Sequence, residues 1–170
     1  MDTCCVIDLL KGDLLLPPDV NDNEIWSYRK LLEASKRGDI GLFCSAFVYA
    51  ECTHLKGEDK NKVLNDEVKE KINWLLDSGQ SGVTMAAITP FTLEIARELL
   101  WEYDISLKPG DSVHVATAIE LRAKELITSD DFGKENIQRL KDHYGLDVCE
   151  GSETKMIPIE LRQNDAFESE

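Results

Sequence analysis

The sequence lacks the features of membrane-bound, secreted and disordered proteins. None of its apolar runs approaches the length of about 18 residues that crosses a bilayer. Its first ten residues have neither the basic start nor the apolar stretch of a signal peptide. Prolines number only 5 and glycines 10 among 170 residues, whereas 42% of the residues are apolar. This balance predicts one folded domain that buries about 70% of its unfolded surface.

The sequence also lacks a cysteine pattern for disulfides or zinc. The cysteine count is odd, and no pair has C-x-x-C spacing, since the five stand at positions 4, 5, 44, 52 and 149. The three histidines are scattered. We therefore expect reduced cysteines in a soluble cytoplasmic protein.

Positive charge is scarce. The chain has 19 Lys and Arg residues against 33 Asp and Glu, which gives a formal net charge of −14. Binding nucleic acid through a broad basic surface requires clustered Lys and Arg, so that class of protein is disfavoured. Action on nucleic acid through carboxylates that hold a divalent metal ion stays open.

Common cofactor and hydrolase motifs are missing. The sequence contains no G-x-G-x-x-G, no G-x-x-x-x-G-K-[ST] and no G-x-S-x-G. No cysteine is followed by five residues and an arginine. These absences disfavour nucleotide-dependent dehydrogenases, P-loop proteins, serine hydrolases and cysteine phosphatases.

Helices alternate with short apolar strands along the chain. Periodicity predicts helices in a run from Val6 to Leu10, at 23–36, after Ser45 with Leu55 on its apolar face, at 58–77 with a break near Asn65 left open, from Pro90, at 111–124 and at 134–144. Apolar runs predict strands at 40–44, 83–89, 126–128 and 146–148. This order indicates a three-layer α/β domain with a central parallel β-sheet flanked by helices. The polar tail after Ile159 is expected to fray.

Acidic residues recur where the strands of such a sheet end. Asp2, Glu51, Asp111 and the pair Asp130–Asp131 all stand at strand ends or near the start of the helices that follow. Individually each also fits a structural role, since Asp111 and the pair could cap a helix or a turn and Glu51 could pair with Lys56. His114 is expected to be a packed core residue rather than a ligand.

Together these acids point to a metal site. Carboxylates that crowd one edge of a sheet repel one another unless a cation intervenes. Oxygen ligands alone favour Mg²⁺ or Mn²⁺, which can activate water and clamp a phosphate. The predicted chemistry is phosphodiester hydrolysis.

Four segments hold these acids in a fixed order along the chain: Asp2 to Gly12, Ser45 to Glu51, Asp111 to Ala118 and Leu126 to Asp130. In order and context they resemble a known family, the PIN domain, and within it the VapC-like ribonuclease toxins of toxin–antitoxin pairs. The resemblance covers roughly residues 1–150, which leaves 151–170 as a C-terminal extension expected to be partly disordered.

The resemblance implies roles for individual residues. The four acidic positions of the family match Asp2, Glu51, Asp111 and Asp130, of which the first three gather Mg²⁺ or Mn²⁺ and the fourth completes the site. Thr128 matches a small hydroxyl residue that arranges the cluster. The family implies an RNA substrate, a cognate antitoxin and a homodimer.

Three features depart from the family pattern. Cys4 replaces the usual Asn, and a thiol cannot supply the hydrogen bonds of an amide. Asp131 competes with Asp130 for the fourth acidic position, because the distance from Asp130 to the next aromatic residue is one residue shorter than often seen. Only Met1 precedes Asp2, where family members have an apolar central strand. Either residues 3–5 rebuild that strand or the start lies upstream.

The sequence thus predicts a metal-dependent endoribonuclease of the PIN class, with a toxin as one possible identity. The alternative is a catalytically weak or silent PIN-like domain that binds proteins. A small-molecule hydrolase or phosphatase that uses the same carboxylates is a third hypothesis. The cations expected near the mouth of the site are Lys11, Arg29, Lys56, Lys108 and Lys134.

Overall fold

The computed structural model describes residues 1–14, 23–56 and 61–163. The α-helices of this part are α1 (Thr3–Leu14), α2 (Asn23–Arg37), α3 (Val48–Glu51), α4 (Asp66–Asp77), α5 (Pro90–Trp101), α6 (Pro109–Glu120), α7 (Lys134–Tyr144) and α8 (Ile159–Gln163). Its strands are β1 (Leu42–Ser45), β2 (Leu55–Lys56), β3 (Lys62–Val63), β4 (Val83–Ala86), β5 (Glu125–Ile127) and β6 (Asp147–Cys149). None of these helices is long and apolar enough to span a membrane.

The strands form two parallel pairs flanked by helices. β1 pairs with β4 and β5 pairs with β6, both in parallel, while β2 and β3 form a small antiparallel ribbon. The first two residues lie between the parallel pairs. The amino group of Met1 donates to Phe43 O at 2.8 Å, and Asp2 N donates to Ile127 O at 2.9 Å. The α/β class predicted from the sequence is confirmed.

The residues after Asp2 are helical, so the prediction that Thr3-Cys4-Cys5 could rebuild a strand is wrong. Asp2 Oδ1 accepts a hydrogen bond from Thr3 N at 2.6 Å, which satisfies a donor at the start of α1. Val6 and Leu9 are buried at helical spacing on the same element. The apolar stripe of α1 therefore outweighs the β-propensity of the first residues.

The segment after β1 also departs from the prediction. The helix that follows Ser45 is a single turn, and Leu55 lies in β2 rather than on its apolar face. Leu55 is fully buried there. A helix and a strand can bury the same leucine, so spacing alone did not distinguish them.

Local hydrogen bonds set several element boundaries. The helix predicted from residue 58 begins at Asp66, because Asn65 Oδ1 accepts from Val68 N at 2.8 Å and caps it. The strand predicted to reach Thr89 ends at Ala86, since Thr89 instead caps α5. The helix α7 has the predicted bounds, whereas α6 ends at Glu120 rather than at Lys124.

The interior contains two clusters of buried side chains. The larger one joins α1, α2 and α4 to β1 and includes Tyr28, Leu31 and Leu75. The smaller one joins α5, α6 and α7 and includes Leu99 and Leu140. Both clusters contribute residues that flank the acidic positions described below.

Residues 151–163 pack against α2. Ile157 and Leu161 are buried in the larger cluster, and Ser152 N donates to Glu24 Oε1 at 3.0 Å. The division into a domain of 1–150 and an extension of 151–170 stays a prediction. Part of the tail that was expected to fray, 164–170, lies outside the described residues.

Gly82 joins α4 to β4 in a conformation that other residues avoid. Its φ is +90°, and an added Cβ would lie 2.8 Å from the backbone oxygen of Leu32. We expect Gly82→Ala to lower the free energy of unfolding by about 3 kcal/mol, from strain plus the clash. Gly79, with φ +65° and open space around it, is the control, and Gly79→Ala should cost about 1 kcal/mol. If urea unfolding shows that Gly82→Ala and Gly79→Ala lose the same unfolding free energy, this explanation is contradicted.

Candidate active site

Asp2 lies at the centre of the acidic cluster. Its side chain is 2% exposed, and it sits where Met1–Asp2 passes between β1 and β5. Oδ1 accepts from Thr3 N and lies 3.2 Å from His114 Nε2, while Oδ2 accepts from Thr128 Oγ1 at 2.9 Å. Both oxygens are therefore oriented by fixed donors.

Thr128, at the end of β5, connects two of the predicted acids. Its hydroxyl donates to Asp2 and accepts from Asp130 N at 3.1 Å. Asp130 shares with Asp2 and Cys4 a group of ligand atoms that lie within 4.8 Å of one another. Asp131 Oδ1 instead accepts from Gly133 N at 2.8 Å, in the turn before α7. This geometry favours Asp130 over Asp131 as the fourth acid.

Glu51 ends the single turn of α3 and reaches the same cluster. Its Oε2 accepts from Thr3 Oγ1 at 2.6 Å and lies 2.9 Å from His114 Nε2. Gly110 leaves room for it, because a Cβ at that position would lie 2.8 Å from Glu51 Oε1. The contacts of Glu51 thus point toward the cluster and not toward Lys56, with which the sequence suggested a pair.

His114 is buried as the sequence predicted, but both ring nitrogens face polar groups. The residue is 3% exposed, and its Nδ1 lies 3.0 Å from Ser45 Oγ. Nε2 faces the carboxylates of Asp2 and Glu51 and therefore donates to them. The packed position expected from the sequence is confirmed, and the expectation that His114 is not a ligand stays a prediction.

Asp111 lies in the first turn of α6 beside these residues. Burial is the largest cause that raises the pKa of its carboxyl, and the negative charges of Asp130 and Asp2 raise it further. Lys108 and His114 act in the opposite direction. Two groups of ligand atoms lie within 4.8 Å of one another, those of Asp2, Cys4 and Asp130 and those of Asp2, Glu51 and His114. Asp111 belongs to neither group, but the charges of Asp2, Asp130 and His114 act on its carboxyl.

The raised pKa predicts that Asp111 costs stability when no cation is present. A carboxyl whose pKa is raised by folding stabilises the fold only when it is protonated, and this stability is lost as the pH rises through the folded-state pKa. We expect Asp111→Asn to raise the melting temperature at pH 7 in chelator by about 2 °C, with no gain below about pH 4. Calorimetry at the two pH values measures both changes. A wild type that melts higher at pH 7 in chelator would contradict the prediction.

Cys4 takes part in the cluster, at the position where the resemblance implied an Asn. Its Sγ accepts from Ser129 N at 3.3 Å and lies 3.4 Å from Thr128 Oγ1. A hydrogen bond with Cys5 is the largest cause that lowers the pKa of Cys4 to about 6, against burial and the charge of Asp2. The thiol thus supplies an acceptor but not the paired donor and acceptor of an amide.

The donor set fits a divalent cation. Ligand atoms of Asp2, Glu51 and His114 lie within 4.8 Å of one another, as do those of Asp2, Cys4 and Asp130. Burial is the main cause of the raised pKa of Asp111, and the negative charges of Asp130 and Asp2, which add to it, are charges that a cation would neutralise. Carboxylate oxygens favour Mg²⁺ or Mn²⁺, and an imidazole or thiol ligand favours Mn²⁺ of the two.

Two residues of the cluster, Thr3 and His114, were not predicted as part of it. His114 stands three positions after Asp111, so both face the same side of α6. That spacing is the signal that could have identified the histidine. Thr3 Oγ1 contacts Glu51 and His114, both far away in sequence, and no local pattern indicates such contacts.

Comparison with models of known protein families gives a match. A family model described as the PIN domain matches residues 1–132, a span that includes all four predicted acids and Thr128. No curated protein matches the sequence.

Proposed function

Because this chain belongs to the PIN domain family, whose members are generally nucleases, we propose that it is a metal-dependent endoribonuclease that hydrolyses RNA phosphodiester bonds. The observation that carries the proposal is the meeting of four acids from distant parts of the chain. Asp2, Glu51, Asp111 and Asp130 all come to the edge where β1 and β5 end.

Mg²⁺ or Mn²⁺ would be held by Asp2, with Glu51, Asp111 and Asp130 around it. When bound, such an ion supplies Lewis-acid activation of water and neutralises charge on the phosphate. The carboxylates position the ion, and those that remain unprotonated accept the proton of the attacking water.

Neighbouring side chains keep the acids in place. Thr128 fixes the distance between Asp2 and Asp130, and His114 holds Asp2 beside Glu51. Lys108 is the cation that acts on Asp111 and is suited to contact the RNA phosphate. Lys11 and Arg29 instead form ion pairs with Asp8 and Asp13.

The proposal is tested with purified protein, RNA and Mn²⁺. We expect cleavage that stops in chelator and returns when Mn²⁺ is added back. Asp111→Asn should lower the rate about 10- to 100-fold. Asp66→Asn is the matched control, since Asp66 also stands in the first turn of a helix but is exposed beside Lys69.

Cleavage that persists in chelator, or an unaffected Asp111→Asn variant, would refute the mechanism. A folded protein that binds no Mn²⁺ and cuts no RNA would favour the second candidate, a silent domain that binds proteins. The departure at Cys4 and the net charge of −14 favour that candidate. Activity on a phosphomonoester but not on RNA would favour a phosphatase.

The finer features of the proposal concern partners and location. We propose a toxin of the VapC-like branch that acts in the cytoplasm, where its five free cysteines would stay reduced. An antitoxin with an arginine-bearing segment would complement the acidic cleft. A homodimer is part of the same proposal.

The net charge of −14 repels RNA. The affinity of the protein for RNA should therefore rise as moderate salt screens that charge.

A further inference from the structure

The two carboxylate oxygens of Asp2 face two chemically different groups of side chains. Oδ1 lies 3.2 Å from His114 Nε2, on the side of the group that offers oxygen and nitrogen ligands. Oδ2 accepts from Thr128 Oγ1 at 2.9 Å, and that hydroxyl lies 3.4 Å from Cys4 Sγ. Asp130 completes the group on this second side. The second group therefore offers two carboxylates and a sulfur, a soft donor that the first group does not contain.

The sulfur changes which cation the second group prefers. Mg²⁺ is a hard ion that takes oxygen ligands at about 2.0–2.1 Å. Zn²⁺ binds thiolate sulfur at about 2.3 Å and carboxylate oxygen at about 2.0–2.2 Å, in tetrahedral coordination. Three protein ligands with water as the fourth is a common arrangement for zinc. The group of two carboxylates and a thiol is therefore matched better to Zn²⁺ than to Mg²⁺.

The spacing of the ligand atoms fits one Zn²⁺ ion. Tetrahedral angles with these bond lengths place a sulfur and an oxygen ligand about 3.6 Å apart. The ligand atoms of Asp2, Cys4 and Asp130 lie within 4.8 Å of one another. Side-chain shifts of about 1 Å therefore bring all three to bonding distance of one ion. Since Cys4 is only partly buried, an ion can reach its sulfur from solvent.

The hydrogen bonds around Cys4 are compatible with coordination. Ser129 N donates to Cys4 Sγ at 3.3 Å, and a main-chain donor of this kind supports a thiolate that binds a metal ion. The thiol proton passes to solvent when the ion binds. Thr128 keeps its hydrogen bond to Asp2, and Cys5 Sγ keeps its own main-chain acceptor at 3.4 Å. Coordination thus preserves the bonds that hold these neighbours in place.

We propose that Asp2, Cys4 and Asp130 form a zinc site through which Zn²⁺ inhibits the nuclease. Zn²⁺ bound there occupies the carboxylates of Asp2 and Asp130, which the Mg²⁺ or Mn²⁺ ion of the proposed function also needs. The inhibitory role therefore rests on the proposed function, whereas the binding of zinc does not depend on RNA cleavage. Cys4 sets the selectivity, because the Asn that the resemblance implies at this position has no thiolate to offer.

Co²⁺ is the probe, because it takes the ligands of Zn²⁺ and absorbs strongly in the near ultraviolet when a thiolate binds it. We expect this band in the wild type and in Cys149→Ser, and its loss in Cys4→Ser. Cys149 is the matched control, since it is also partly buried beside a carboxylate, that of Glu125, but belongs to neither group of ligand atoms. In Cys4→Ser the affinity for Zn²⁺ should fall more than about 100-fold, beyond the loss that an outer-shell change causes, while the affinity for Mg²⁺ stays the same.

A second measurement on the wild type stays valid if Cys4→Ser folds poorly. Zn²⁺ at ten times its Kd should slow the alkylation of Cys4 by iodoacetamide about 10-fold, whereas Mg²⁺ should leave it unchanged. Peptide mass analysis identifies the alkylated residue. At the same Zn²⁺ concentration, Mn²⁺-dependent RNA cleavage should be inhibited more strongly in the wild type than in Cys4→Ser, each relative to its own rate without zinc.

A band that persists in Cys4→Ser would overturn the proposal, because another thiol would then bind the ion. Co²⁺ that binds without the band, or Zn²⁺ that leaves the alkylation of Cys4 unchanged, would also overturn it and would leave the nuclease proposal intact. A Cys4-dependent band in a protein that cuts no RNA with Mn²⁺ would support the zinc site and refute both the proposed function and the inhibitory role.

Discussion

Replacing Asp2 with asparagine is expected to lower RNA cleavage about 100- to 1000-fold while the fold persists. The amide has the same shape as the carboxylate. Its oxygen can accept from Thr3 N, and its NH₂ can donate to Thr128 Oγ1, whose own proton can then turn to Cys4 Sγ at 3.4 Å. What disappears is the one negative charge that both groups of ligand atoms share.

Asp8→Asn is the matched control for Asp2→Asn. Asp8 stands on α1, which begins directly after Asp2, but its carboxylate accepts from Lys11 at the surface. The two variants carry the same net charge and differ only in the position of the change. The single-turnover cleavage rate and the Mn²⁺ affinity measured by titration should both fall for Asp2→Asn and stay unchanged for Asp8→Asn. Equal activity in the two variants would remove Asp2 from the mechanism.

Replacing His114 with phenylalanine is expected to affect stability and metal binding together. The ring fits the space, but it leaves Asp2, Glu51 and Ser45 without the partner that now faces them. Asp2 and Ser45 are buried, and a buried polar group that loses a partner costs about 1–3 kcal/mol, so the free energy of unfolding should fall by about 2–6 kcal/mol. The affinity for Mn²⁺ should fall about 10- to 100-fold, because the orientation of two carboxylates is lost.

Two further variants separate these effects of His114. His114→Gln keeps one donor and should recover part of the Mn²⁺ affinity. Ser45→Ala removes the partner of Nδ1 together with the acceptor of Phe47 N, leaves Nε2 and its partners in place, and should cost about 1–2 kcal/mol. Urea unfolding and Mn²⁺ titration are measured on each. A His114→Phe variant with unchanged Mn²⁺ affinity would show that His114 acts through packing alone.

The sequence was informative where structure is decided locally. The bounds of α7 follow from its periodicity, and the class of fold follows from the alternation of helices and strands. The meeting of the acids could also be predicted, because parallel strands end at one edge of a sheet. Asp130 could not be separated from Asp131 in this way, since the choice depends on a hydrogen bond to Gly133.

Contacts between distant residues explain what the sequence could not predict. The place of His114 in the site depends on contacts of its ring nitrogens with residues 2, 3, 45 and 51, none of which is near it in sequence. Leu55 pairs with Val63 in a ribbon whose connection includes residues outside the described ranges. Thr3 to Cys5 are helical because α1 packs an apolar stripe, which overrides their local preference.

The two clusters of buried side chains have a consequence for how the acids stay together. Asp2 and Glu51 are flanked by Met1 and Val48 of the larger cluster, whereas Val115 of the smaller cluster follows Asp111 on α6. The candidate site therefore lies where the two clusters adjoin. We expect a fluctuation that separates the clusters to move Asp2 and Glu51 away from Asp111. A cation bound between these carboxylates would oppose that separation, and it would stabilise the boundary between the clusters more than the interior of either one.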